Sequence, residues 1–202
     1  MNAITDLAAL REHAGAVNPL AEAKALPRID RHIRRFIELS PLVVISTAGP
    51  DGVDASPRGD PPGFVRVLDE ATLLLPDRPG NRRMDSYANL LADPRIAILF
   101  LVPGIDETVR VNGTARITTD AVLLEASAMA GRVPARGLLI AVEETFFHCG
   151  KALIRSRLWD PATRIDRKSF PTLGRIIAEQ TGRTTAEEAD RNLAEAYAKR
   201  LY

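Results

Sequence analysis

SPLVVISTAGPDGVDASPRGD, residues 40–60, is where the pattern of this chain changes. Residues 42–47 are aliphatic and β-branched, and Gly49-Pro50-Asp51-Gly52 is a turn by composition. Residues 53–58 run back, so the segment predicts a β-hairpin. Ser40-Pro41 closes what precedes it, because a residue before proline is pushed out of the helical region. Just upstream, Ile29, Ile33, Phe36 and Ile37 form one stripe, which predicts a helix from about Pro27. Ile4, Leu7, Ala8 and Leu10 predict an earlier helix that ends by Gly15, with Asn18-Pro19 as a break.

Downstream of the hairpin, residues 64–68, 72–75, 95–102, 108–118 and 137–145 read as further strands. Gly113 inside one of them predicts a bulge or a close backbone approach. Residues 82–92 read as a helix ended by Asp93-Pro94, and Thr119 or Asp120 caps another running to Met129. The tail reads as helices over 147–158 and 171–180, the second closed by Gly182. Thr185 and Glu188 form a capping box that opens a last helix to about Lys199. Six or seven short antiparallel strands with turn-rich spacing predict a mainly β fold with flanking helices, built on a barrel. No strand–helix–strand unit carries a glycine-rich phosphate loop, which disfavours a doubly wound dinucleotide fold.

Composition narrows the function. The 202 residues are 46% apolar and 26% charged, enough for one domain with helical decoration and a real core. With 27 Lys and Arg against 26 Asp and Glu the net charge is +1, which argues against a nucleic-acid binder. One cysteine, Cys149, excludes an internal disulfide and a multi-thiolate zinc site. No run approaches the ~18 apolar residues of a membrane span. The first residues lack a basic stretch followed by an apolar one, so no signal peptide is expected and a cytoplasmic location is.

Three segments concentrate cations and small polar groups. The first is Ser56-Pro57-Arg58-Gly59-Asp60. The second is Arg78-Pro79-Gly80-Asn81-Arg82-Arg83-Met84-Asp85-Ser86, where a strand meets a helix. Guanidinium forks, an amide, a hydroxyl and helix N-terminal amides are the inventory a phosphate dianion needs. A solvated basic helix start is the plainer account. Yet Arg82 and Arg83 oppose the helix dipole there, which asks for a nearby anion, supplied by Asp85 or by a ligand. The third segment is 148–161, where Lys151 and Arg155 share a helical face and the single tryptophan, Trp159, follows. An amphipathic helix with a half-buried Trp accounts for it, and so do cations and an aromatic plane against a ligand.

Nothing else composes a catalytic set. His13, His32 and His148 are scattered, so no metal site is expected. His148 and Cys149 are adjacent and point apart. Ser46, Ser56 and Ser86 lack a nucleophile-elbow context. The adjacent carboxylates Asp69-Glu70 and Glu143-Glu144 read as turn or edge residues. An enzyme of this kind would leave the chemistry to a bound redox cofactor.

The series SPLVVISTAGPDGVDASPRGDPPGFVRVLDEATLLLPDRPGNRRMDSYANLLADPRIAILFLVPGIDETVRVNGTARIT, with FFHCGKALIRSRLWDP further on, resembles the pyridoxamine 5′-phosphate oxidase-like FMN-binding proteins of the flavin split-barrel superfamily. It is most similar to an uncharacterised bacterial subfamily, over roughly residues 27–165. The resemblance implies an N-terminal helical extension (1–26), a six-stranded antiparallel split barrel (27–165) and a C-terminal helical extension (166–202). It implies a homodimer with FMN at the subunit interface. Arg58, with Ser56 and Asp60 beside it, matches the family's first phosphate position. Asn81, Arg82 and Arg83 match the second, with Arg78 and Ser86 as helpers. Pro76 and Asp77 would lie along the flavin, and Thr108 would contact its ring. Lys151, Ser156 and Trp159 would reach the cofactor from the other subunit.

The family's vitamin B6 oxidases end in an Arg-Leu-His-type segment, whereas this chain ends RNLAEAYAKRLY. They also carry a lysine soon after the Arg58 position, where this chain has Asp60 and Pro61. The expectation is therefore an FMN-dependent oxidoreductase of another small molecule, with NADH or NADPH as electron donor, no nucleic acid and no membrane. Its alternatives are a non-catalytic flavin-binding sensor, store or regulator, or a barrel that binds deazaflavin or haem.

Overall fold

A computed structural model describes residues 3–202, so the first two residues of the expected N-terminal extension lie outside it. The elements are α1 (Leu7–Ala14), α2 (Pro19–Ala23), α3 (Arg31–Leu39), β1 (Leu42–Gly49), β2 (Gly52–Gly59), β3 (Arg66–Val67), β4 (Thr72–Pro76), α4 (Asp85–Ala92), β5 (Arg95–Leu101), β6 (Thr108–Thr118), α5 (Ala121–Glu125), β7 (Gly137–His148), α6 (Lys151–Ser156), α7 (Leu173–Thr181) and α8 (Ala186–Lys199). The strands form one antiparallel sheet in the order β2-β1-β5-β6-β7-β4-β3. This is the predicted mainly β fold with flanking helices. The sheet has seven strands where the resemblance implies six, and the strand read over residues 64–68 is reduced to the two-residue β3.

Alternation along β1 sets the two faces of the sheet. Val43, Ile45 and Thr47 turn inward and are buried, opposite Phe100, Ile98 and Ile96 of β5. Val109, Val111, Leu138 and Ile140 extend the same layer through β6 and β7. α3 supplies its lid: Ile33, Phe36 and Ile37, at helical spacing, are buried in this core. Phe36 meets the Phe147 ring edge-on, at 5.5 Å between centroids and 89° between planes.

Between Asn112 and Gly113 the β6–β7 register shifts, the bulge the glycine predicted. A Cβ on Gly113 would stand 2.0 Å from the Ala141 carbonyl oxygen. Only a residue without a side chain lets β6 and β7 approach this closely, because backbone cannot give way as a flexible side chain can. Gly113→Ala is therefore expected to cost about 1–3 kcal/mol, as overpacking does, read as a lower urea midpoint at constant m.

Several boundaries depart from the sequence reading; α5, expected to reach Met129, ends at Glu125. α3 starts at Arg31, not Pro27, with the Asp30 carboxylate accepting from the His32 and Ile33 amides. Residues 26–29 stay out of the helix because Leu26 exchanges both backbone hydrogen bonds with Thr145, and the Ile29 amide donates to the Glu70 carbonyl. Asn18-Pro19 opens a helix instead of breaking one, since proline suits a first helical position and Asn18 caps it. α4 begins at Asp85 rather than Arg82. Finally, residues 146–148 remain in β7, paired with Thr108, Val109 and Arg110, so α6 starts only at Lys151.

α7 and α8 pair with each other through Asp190. Its carboxylate accepts from the Thr172 hydroxyl at 2.7 Å and the Gly174 amide at 3.0 Å. The capping box reads true on one side, with the Thr185 hydroxyl accepting from the Glu188 amide.

Candidate functional site

Cross-strand pairing puts Asp54, Ser56 and Arg58 of β2 opposite Thr47, Ile45 and Val43, hence on the inner side of the sheet. α4 lies over that side. Its Ser86 hydroxyl, almost fully buried, is the hub: it donates to Asp54 at 2.8 Å and lies 3.1 Å from the Ser56 hydroxyl. Arg58 donates one Nη to Ser86 at 3.4 Å and the other to the Pro57 carbonyl at 2.9 Å. Ser86 thus acts on Arg58: it fixes where the guanidinium sits.

Arg82 and Met84 stand just ahead of α4 with left-handed backbone, φ 63° and 62°. For residues with a side chain that conformation is strained and concentrates at functional sites. No side chain caps α4, so the amides of its first turn have no partner within the helix. By contrast, α1, α2, α3, α5, α7 and α8 each have a Asp, Asn or Thr cap. The other uncapped helix is α6. Asn81 organises the approach by accepting from the Arg83 amide at 3.0 Å. Arg83 pairs with Asp85 at 2.9 Å in the open, an exposed pair that contributes little and that an incoming anion can exchange.

The loop that leads here is pinned at two points. Asp77 accepts from Arg136 at 2.8 Å, and its amide donates to the Arg136 carbonyl. Tyr87, buried beneath, has its phenol pushed far above the ordinary value of 10, by burial first and then by the Asp77 carboxylate. Arg78 donates its Nε to Asp60 at 2.5 Å, and the Asp60 side chain is 1% exposed. The Tyr202 hydroxyl donates to the other Asp60 oxygen at 2.6 Å, its ring 5.8 Å from the Arg78 guanidinium. Asp60 is therefore consumed inside the protein, and Arg78 with it. Pro76 is the last residue of β4 and also buried.

The Tyr202 bond carries a pH signature. Hydrogen bonding to Asp60 raises the phenol above its ordinary value of 10. A raised folded value means that its stabilisation is complete below pH 10 and is lost as pH climbs above it. Urea midpoints of the wild type should fall above pH 10 faster than those of Tyr202→Phe. Parallel curves would show that the bond does not form.

The third segment lies elsewhere. The Trp159 indole donates to the Ile105 carbonyl at 2.9 Å. Gly150 sits against Asp106, where a Cβ would be 2.8 Å from the Asp106 Cβ. α6 is thereby held on the turn between β5 and β6. Ser156 bonds back to Leu153 in its own helix. Lys151 is exposed, and Thr108 is buried at the start of β6 opposite His148. Among the described residues no hydrogen bond or ion pair joins this group to Arg58 or to residues 78–86 within the chain.

Asp54, Tyr87, Arg136 and Tyr202 were not singled out from the sequence. Each is placed by a contact between distant segments, and no local motif marks it. Among the described residues no cluster of metal-ligating side chains occurs, and no helix is long and apolar enough to cross a membrane.

Residues 29–149, more than half of the chain, match the family model for pyridoxamine 5′-phosphate oxidase. The chain belongs to that family. The match begins just before α3 and ends just past β7, so it takes in the whole sheet and the α4 start. Among solved structures the family fold is similar to that of HupZ of Group A Streptococcus, at 22% identity and a TM-score of 0.48, over 59% of this chain and 93% of that one. A Clostridium acetobutylicum protein related to general stress protein 26 is 17% identical, with a TM-score of 0.43 over 56% and 83% of the two chains. A FAD-binding protein of Mesorhizobium loti is 12% identical, with a TM-score of 0.40 over 62% and 99%. No curated protein sequence matches the chain.

Proposed function

We propose that this chain is an FMN-dependent oxidoreductase acting on a small molecule, with the FMN phosphate seated at the start of α4. One observation carries the reading: an uncapped helix start flanked by Arg82 and Arg83, with Arg58 held beside it by Ser86. Unpaired amides, a positive helix end and three guanidiniums fit a dianion, and each guanidinium is a bidentate donor. Family membership supports flavin as the group that carries it. A bound FMN would supply hydride and electron transfer at its ring. The chain's own work is binding: Arg58, Arg82 and Arg83 hold the phosphate, Asn81 shapes the loop, and Ser56 and Ser86 orient Arg58.

The protomer is proposed to work as a homodimer. Leu42, Val44, Ala97, Leu99 and Leu101 lie on the outer face of β1 and β5, with Pro57 of β2 opposite Val44, and Ser46 and Arg95 continue that face. Leu42 is 39% exposed, and Val53, beside this face, is 89% exposed. An antiparallel sheet that faces water is normally polar on that side, and here a run of aliphatic side chains interrupts the polar residues Ser46, Arg95 and Arg110. A second copy would cover it, and would bring its own Lys151, Ser156 and Trp159 toward the flavin site that they do not reach within one chain. NADH or NADPH is the proposed electron donor.

The test is a purified protein with a flavin spectrum, followed by stopped-flow absorbance with NADH or NADPH under anaerobic conditions. Bleaching on mixing, and recovery with air or a quinone, is the expected result. A yellow protein that no physiological donor bleaches is a flavin carrier, not an enzyme. A colourless protein indifferent to added FMN overturns both readings.

A further inference from the structure

Asp54, Ser56 and Arg58 occupy every second position of β2 and so share its inner side. Among the described residues no ion pair joins Asp54 to Arg58; the Ser86 hydroxyl of α4 bridges them. Ser86 is 2% exposed, and its oxygen lies 2.8 Å from the Asp54 carboxylate, 3.1 Å from the Ser56 hydroxyl and 3.4 Å from an Arg58 Nη.

Valence decides the direction of these bonds. A hydroxyl has one proton and two lone pairs, a carboxylate accepts, and a guanidinium only donates. The Ser86 proton therefore goes to Asp54, and its two lone pairs take Arg58 and Ser56. Ser56 is accordingly the donor in the serine pair. Both hydroxyl protons are spent inside the protein, so neither serine has one left for a phosphate. What Ser86 passes on is the charge of Asp54: a hydroxyl that donates to an anion becomes a better acceptor, because hydrogen bonds in a chain polarise one another.

We infer that Asp54 is a positioning residue for the phosphate seat, acting on Arg58 through the Ser86 hydroxyl. The inference rests on the reading of the α4 start as that seat. Asp54 fixes the Ser86 rotor, so that a lone pair and not a proton faces the guanidinium. Without an acceptor at position 54 the Ser86 proton can turn toward Arg58, where it repels. The guanidinium then keeps one anchor, the Pro57 carbonyl.

Asp54→Asn and Asp54→Ala remove the same charge, but only asparagine keeps a side-chain oxygen that accepts from Ser86. Two readouts on the full chain compare them. The first needs no cofactor. Rotation about the Arg58 Cζ–Nη bonds in FMN-free protein, followed by nitrogen exchange NMR, should be roughly twofold faster or more in Asp54→Ala than in Asp54→Asn, as a weakened hydrogen-bond chain allows. The second is FMN affinity from fluorescence quenching, expected to be roughly fivefold weaker in Asp54→Ala than in Asp54→Asn, as for one lost hydrogen bond. Both differences should vanish when the two substitutions are made in Ser86→Ala, because the chain then has no middle member. A merely structural role of Asp54 would keep them. Equal rotation rates in the two variants overturn the inference, and so do equal FMN affinities or a difference that persists without Ser86. Rotation that differs as expected in a protein to which FMN does not bind defeats the phosphate reading and leaves Asp54 as the group that positions Arg58.

Discussion

Arg78→Met is expected to lower the unfolding free energy by about 3–5 kcal/mol, the cost of stranding a buried charge. The charge is Asp60, whose side chain is 1% exposed and whose cationic partner is Arg78 at 2.5 Å. With Arg78 gone, one hydroxyl from Tyr202 is left to hold a carboxylate that water scarcely reaches. Removing both charges at once, as in Asp60→Asn with Arg78→Met, should recover most of the loss, because the penalty comes from the unpaired ion and not from the missing pair. Urea denaturation of the four proteins gives the cycle. A loss below about 1 kcal/mol in the single variant, the range of an exposed pair, would mean that water or another cation reaches Asp60. The same experiment sorts the arginines. Arg78 is expected to matter for folding, and Arg58 and Arg82 for cofactor.

For those two, Arg58→Ala and Arg82→Ala should each weaken FMN binding by about 1–3 kcal/mol, the range for a lost charge-assisted hydrogen bond. That is roughly five- to 150-fold in Kd, read from the quenching of FMN fluorescence on titration with protein. Arg58 is held by Ser86 and by the Pro57 carbonyl, so its guanidinium is already positioned and little ordering is spent when phosphate arrives. Arg82 owes its place to a left-handed backbone. Since the two side chains would share one dianion, the double variant should lose less than the sum of the singles. Unchanged affinity in both singles would defeat the phosphate assignment.

Strands were legible wherever alternation and turn chemistry agreed. β6 was read as 108–118 and is Thr108–Thr118, with its bulge at the glycine that predicted it. The β1–β2 hairpin was carried by Gly49-Pro50-Asp51-Gly52, and its strands run only one or two residues longer than read. What failed was decided at a distance. Nothing near Pro27 announces that Leu26 will bond to Thr145 and keep the chain out of the helix. Nothing in 146–148 announces that Thr108 to Arg110 will hold it as strand. At the site, Ser56, Arg58 and Ser86 were legible because cations and hydroxyls clustered near a strand end and a helix start. The structure brings these three together. Asp54, Tyr87 and Arg136 were not legible, because each acquires its meaning only once β2, α4 and the start of β7 are stacked.

β7 is flanked by two strands of very different history. β6 precedes it and shares almost its whole length. β4 lies far earlier in the chain, and Thr72 must wait for Ala141 before that ladder can close. The β1–β2 hairpin, with its tight turn, can form within microseconds. The β4–β7 ladder instead bears the loop-closure entropy of everything between, and chains rich in such non-local pairings fold in milliseconds to seconds. Refolding from urea should accordingly be governed by this seam. Destabilising substitutions along β4 and β7 should slow refolding, and so should those in the β1–β2 turn, because the hairpin is already formed when the seam closes.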